Sequence, residues 1–102
     1  MMKMTDFSSV VEEMKDLHAR KNHDYGDAFA KSFGEFGLVS AVVRMSDKME
    51  RLKSLCMKDA LVAESVRDTL VDLACYAVMT VVELDARKGD GFDFEKDILN
   101  KI

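Results

Sequence analysis

The stretch ESVRDTLVDLACY, residues 64–76, carries Glu64, Asp68 and Asp72 at intervals of four just before the chain turns almost wholly apolar. At 3.6 residues per turn the three carboxylates fall within an arc of roughly 80°, and Cys75 and Met79 continue the same face. Beyond Leu73, the residues Ala74, Cys75, Ala77, Val78, Val81 and Val82 point in several directions round the same helix. This pattern predicts a helix over 64–87, apolar on most of its circumference and stopped by Gly89. Unpaired carboxylates on a buried face are costly, so a cationic partner must meet them.

The segment before it supplies candidates. In RMSDKMERLKSL, residues 44–55, Arg44, Lys48 and Arg51 recur at i, i+4 and i+7, and Asp47 and Glu50 form an i, i+3 pair on the adjoining side. Leu38, Ala41, Val42, Met45, Met49 and Leu52 keep helical spacing, which predicts a second long helix over 36–56. A short joint, MKDALVA, separates the two. A first helix is predicted over 6–20, with Phe7, Val10, Val11, Met14 and Leu17 on one face and Asp6 or Thr5 as cap. Between them lies KNHDYGDAF, read as a polar loop punctuated by Gly26, in which Asp24 or Asp27 would cap free backbone N–H groups. The tail DFEKDILNKI reads as a short closing amphipathic helix. No segment alternates with period two and there is no proline, so the fold class is all-α: a small bundle built on a long helical hairpin. A helix apolar on several sides needs more cover than so short a chain supplies. The expectation is therefore a homo-oligomer, a two-fold dimer or a tetramer, pooling helices.

Bulk properties agree with one domain spanning residues 1–102. Hydrophobic residues make up 48% and charged residues 33%, well away from the signature of disorder. A net charge of −4 argues against binding duplex nucleic acid, which calls for a basic excess. The N-terminus lacks the apolar core of a signal peptide, and the longest apolar run, AVMTVV, is too short for a bilayer, so a cytoplasmic protein with no membrane partner is expected. Cys56 and Cys75 read as reduced core residues, and His18 and His23 are too isolated to build a metal site. The acids of GDGFDFEKD miss the spacing of a calcium loop.

Two accounts of the facing stripes stay open on spacing alone. In one, Arg44, Lys48 and Arg51 neutralise Glu64, Asp68 and Asp72 as an interhelical salt-bridge ladder. In the other, the carboxylates converge on Mg²⁺ or Mn²⁺, and the cationic side chains hold the oxygens of a polyphosphate.

Three stretches taken together, KNHDYGDAF, SFGEFGLVSAVVRMSDKMERLKSL and ESVRDTLVDLACYAVMTVVEL, resemble the phage and bacterial family called nucleotide modification associated domain 1. The resemblance covers roughly residues 20 to 85, with K-x-x-D-Y-G, R-x-x-D-K-x-x-R-L and E-S-x-x-D-T-L-x-D-L-A-x-Y as its pattern. That family is in turn similar to the all-α nucleoside triphosphate pyrophosphohydrolases, the MazG and dimeric dUTPase group. The wider similarity implies an oligomeric bundle that binds Mg²⁺ and splits a nucleoside triphosphate into monophosphate and pyrophosphate. The group's E-x-x-E signature would fall on Asp47 and Glu50. Its E-x-x-D signature is not kept, because Thr69 stands three before Asp72 and the nearest acids are Asp68 and Glu64.

The roles implied are as follows. Asp68 and Asp72 are the first choices for metal ligands, then Asp47 and Glu64, then Glu50, with a non-ligating member of Asp47, Glu50 and Asp68 orienting water as general base. Arg44, Lys48 and Arg51 would offset triphosphate charge. In the loop, Lys21 would reach phosphate, Tyr25 would stack on the base, and Asp24 would belong to the same closing segment. The competing expectations are a non-catalytic nucleotide-binding accessory with the same pocket, and a purely structural helical oligomerisation module.

Overall fold

Four helices are present among the described residues: α1 (Phe7–Tyr25), α2 (Ala28–Phe36), α3 (Leu38–Cys56) and α4 (Ala63–Arg87), with no strand. The computed structural model describes residues 6–25, 27–57 and 63–88, with backbone alone at 23–25 and 63–64. Gly26, most of the joint, Gly89 and the expected closing helix lie outside the described residues.

The hairpin of α3 and α4 is the framework, as the two long apolar stripes require, and α2 packs mainly on α3. Phe33 (1% exposed), Phe29 and Ala41 (0% exposed) form the buried centre, with Leu38, Met45, Tyr76, Met79 and Leu84 packed round them. Ala41 matters here because a residue without a long side chain lets the helices approach closely. The buried hydroxyls are satisfied within their own helix: Thr69 Oγ1 donates to the Ser65 carbonyl at 2.7 Å and Thr80 Oγ1 to the Tyr76 carbonyl at 2.6 Å.

Asp6 caps α1 as expected, accepting from the Ser9 N–H at 2.9 Å. Its carboxyl is held below the ordinary value by that backbone bond first and by the Ser9 side chain second. Several expectations need correction. The stretch read as a loop, 21–29, is instead the last turn of α1 and the start of α2, because nothing before Gly26 interrupts helical hydrogen bonding. The separate helix α2 exists because Phe29 and Phe33, one turn apart, are both driven into the hairpin. Asp27 precedes it without a side-chain cap bond, offering only its carbonyl to the Lys31 N–H. Cys56 is exposed and Cys75 only half-buried, so neither is a fully buried core residue. On the hairpin's own stripe, Val42 and Met49 stay exposed while Ala41 is buried, and Phe7 projects freely from α1. No helix among the described residues is long and apolar enough to cross a membrane.

Candidate functional site

Asp72 is the centre of the charged constellation. Its half-buried carboxylate (23% exposed) accepts from Lys21 Nζ of α1 at 3.1 Å on Oδ1 and from Lys48 Nζ of α3 at 3.3 Å on Oδ2. Lys21 can do so because α1 runs on past residue 20 and lies against α4; as a loop residue it would have had no fixed direction. Both contacts are charge-assisted hydrogen bonds, and Lys48 is itself three-quarters covered.

Two hollows meet at this pair. The first, about 220 Å³, is lined by Phe29, Tyr76, Met79, Arg44, Lys21 and Asp72, with His18 and Asn22 of α1 at its border. Tyr76 stacks on Phe29, ring centroids 6.0 Å apart and planes at 30°, and the Arg44 guanidinium lies 5.7 Å from the Phe29 ring centre. Arg44 also donates to Ser32 Oγ at 3.2 Å. The second hollow, about 380 Å³, holds Asp68 and Asp72 with Glu13, Arg20 and Lys21 around them. The Lys21–Asp72 pair forms the partition between an aromatic, basic cleft and a more acidic one.

The remaining expected residues are placed as follows. Arg51 does not meet an acid; its Nε donates to Thr69 Oγ1 at 3.2 Å. The salt-bridge ladder therefore reduces, among the described residues, to the Lys48–Asp72 rung. Asp47 and Glu50 are exposed on α3, Glu50 pairing with Lys53 at 3.1 Å, and neither borders the two hollows. The side chains of Asp24, Tyr25 and Glu64 lie outside the described residues. Among the described residues, no group of three or more His, Cys, Asp or Glu is arranged to hold a metal ion.

Several contributors are missing from the reading of spacing. Arg67, beside Asp68, grips Glu13 of α1 with both terminal nitrogens at 2.8 Å, a fork that pins α1 to α4 and lowers the Glu13 carboxyl from its ordinary value. The signal for Phe29 was its i, i+4 partner Phe33; the pairing of Glu13 with Arg67, 54 positions apart, had none. Burial pushes the Cys75 thiol up, the Asp72 charge adds to this, and Lys21 opposes it, which disfavours a nucleophilic thiolate there.

A family model described as nucleotide modification associated domain 1 matches residues 21–84, well over half of the chain. The chain belongs to this family. No curated protein and no solved structure matches it. The span matched to nucleotide modification associated domain 1 opens at Lys21 and takes in Phe29, Arg44, Lys48, Asp68, Asp72 and Tyr76, so the aromatic cleft falls largely inside the family's domain. Glu13 and the rest of α1 up to residue 20 lie before it.

Proposed function

We propose that the chain binds a nucleotide through its phosphate where Lys21 and Lys48 hold Asp72 and Arg44 lines the same cleft, and that it serves nucleotide metabolism or modification in the cytoplasm. One observation carries this reading: Lys21 and Arg44 line a cleft walled by Phe29 and Tyr76, while Lys48 reaches the Asp72 carboxylate that borders it. Cationic groups beside an aromatic wall suit a ligand with a flat ring and a charged tail. The family's description as nucleotide modification associated agrees.

Hydrolysis of a nucleoside triphosphate to monophosphate and pyrophosphate is the fuller reading, and it would place the family beside the MazG and dimeric dUTPase group. Asp68 and Asp72, one turn apart in one hollow, favour it. Two carboxylates fit Mg²⁺ or Mn²⁺, which typically takes one or two from the protein and completes its shell with water and phosphate oxygens. Asp68 and Asp72 would hold the ion, with Glu64 continuing the stripe a turn earlier. When bound, the ion polarises phosphoryl oxygens and offsets their charge. Lys21 and Lys48 bind and orient the phosphates, and a carboxylate at the rim accepts the proton of the attacking water. Asp47 and Glu50, outside both hollows, take no part in this arrangement.

A homodimer or tetramer is part of the proposal, because Val78, Val81 and Val82 of α4 are each more than half exposed. Calorimetric titration with nucleoside mono- and triphosphates, run with and without Mg²⁺ and followed by a pyrophosphate assay, tests the set. Saturable binding is expected, with pyrophosphate release if hydrolysis holds. A flat titration with every nucleotide would remove both readings and leave a helical oligomerisation module.

A further inference from the structure

We propose that Asp72 stands in for a ligand phosphate: Lys21 and Lys48 form a metal-independent site for one phosphate monoester, and the carboxylate occupies it until such a group displaces it. This rests on the nucleotide-binding reading and adds the ligand class and how the site is kept. Asp72 presents two anionic oxygens on one centre, each held by an ammonium from a different helix, at 3.1 Å and 3.3 Å. A phosphate monoester presents the same pairing of oxygens with more charge. The local charge balance favours the exchange: two lysines meet a single carboxylate, and Arg44 in the same cleft spends its contacts on the Ser32 hydroxyl and the face of Phe29. That positive surplus stands out on a chain whose net charge is −4.

Size narrows the ligand. The aromatic cleft, about 220 Å³, is smaller than the roughly 300–1,000 Å³ that encloses a drug-sized ligand. It offers one ring a wall of Phe29 and Tyr76, and Lys21 and Lys48 together hold a single two-oxygen group, as Asp72 now supplies. The simplest ligand with one such group and one flat ring is a nucleoside monophosphate. The displaced carboxylate has somewhere to go, since Asp72 also borders the second hollow, where Arg20 offers another cation.

Asp72→Asn separates this role from that of a metal ligand. In the presence of a chelator, the full chain is titrated calorimetrically with a nucleoside monophosphate, the matching nucleoside and inorganic phosphate. Removing the internal competitor is expected to tighten the monophosphate about tenfold, the scale on which two modest ion pairs compete. Lys21→Met combined with Lys48→Met is expected to abolish that binding. Weaker or unchanged affinity in Asp72→Asn overturns the stand-in role, while leaving the nucleotide-binding reading intact if the wild-type chain binds. A gain for inorganic phosphate with no preference for the nucleotide keeps the stand-in role and removes the nucleotide. If Asp72→Asn loses helical circular dichroism, the Asp72 carboxyl carbon resonance of the wild-type chain decides. It is expected to shift on adding the monophosphate, and a fixed resonance overturns the proposal.

Discussion

Lys48 is the residue whose position most constrains what the site can do. Three-quarters covered and aimed at Asp72 from the middle of α3, it is restrained before any ligand arrives, unlike the more exposed Lys21. A preorganised cation loses less freedom on binding, so its removal costs the ligand most of one charge-assisted bond, about 1.5–3 kcal/mol. Lys48→Met is thus expected to weaken nucleotide affinity by at least about tenfold in calorimetry. Lys53→Met, on the same helix but paired with exposed Glu50, is expected to leave it unchanged. Equal losses from both would mean that the effect is diffuse charge and not a site. Asp72 and Lys48 were legible in the sequence, because stripes at i, i+4 fix direction on a helix. Their pairing with each other, rather than Arg51 with an acid, was not. It depends on the register between α3 and α4, which no local pattern encodes.

At the scale of elements, α2 shows how glycine misleads a reading from pattern. Gly34 and Gly37 look alike in the sequence, yet Gly34 lies within the helix and Gly37 ends it with φ 78° and ψ −162°, backbone that side chains with a Cβ rarely adopt. A Cβ on Gly34 would meet the Arg87 guanidinium at 3.4 Å, ordinary contact distance that leaves its bonds to Ala30 and Glu83 in place. Gly34→Ala should therefore stabilise the fold by roughly 0.5–1 kcal/mol through helix propensity, and Gly37→Ala should destabilise it by about 1–3 kcal/mol through backbone strain. Urea midpoints measure both, and shifts in the same direction would refute the distinction. The attachment of α1 is equally specific. Its apolar face is only half-buried, so the fork between Arg67 and Glu13 supplies the direction of docking. Since the Arg67 hydrogen bond lowers the folded Glu13 carboxyl below its ordinary 4.5, the contact's contribution is complete above that value and is lost as pH falls through the lower, folded value. Protection factors along α1, taken against the intrinsic amide exchange rate at each pH, should fall in that acid window, and Glu13→Gln should remove this dependence. Protection of α1 that does not change with pH in the wild-type chain would show that packing alone holds it.

Taken whole, the molecule leaves its longest helix unfinished. Val78 (54%), Val81 (55%) and Val82 (56%) are spaced i, i+3, i+4 along one side of α4, and Val78 and Val82 border an apolar groove with Val11 and Met14 of α1. The sequence already signalled a helix apolar on several sides; among the described residues, α1, α2 and α3 cover the others and leave the valine ridge exposed. A second copy is the partner that needs no further assumption, since a two-fold arrangement brings the same valine ridge from each chain against the other. A charge placed there would be buried without a partner in the dimer but solvated in the monomer, so it acts on association and spares the fold. Val78→Glu is accordingly expected to leave helical content and the urea midpoint of the isolated chain nearly unchanged while converting a sedimenting dimer or tetramer into a monomer. The site makes a second readout possible: Asp72 and Val78 lie on the same helix, six residues apart, so nucleotide affinity in Val78→Glu reports whether assembly supports the cleft. A wild-type chain that sediments as a monomer at every concentration would end the oligomer proposal, and the ridge would then need a different partner.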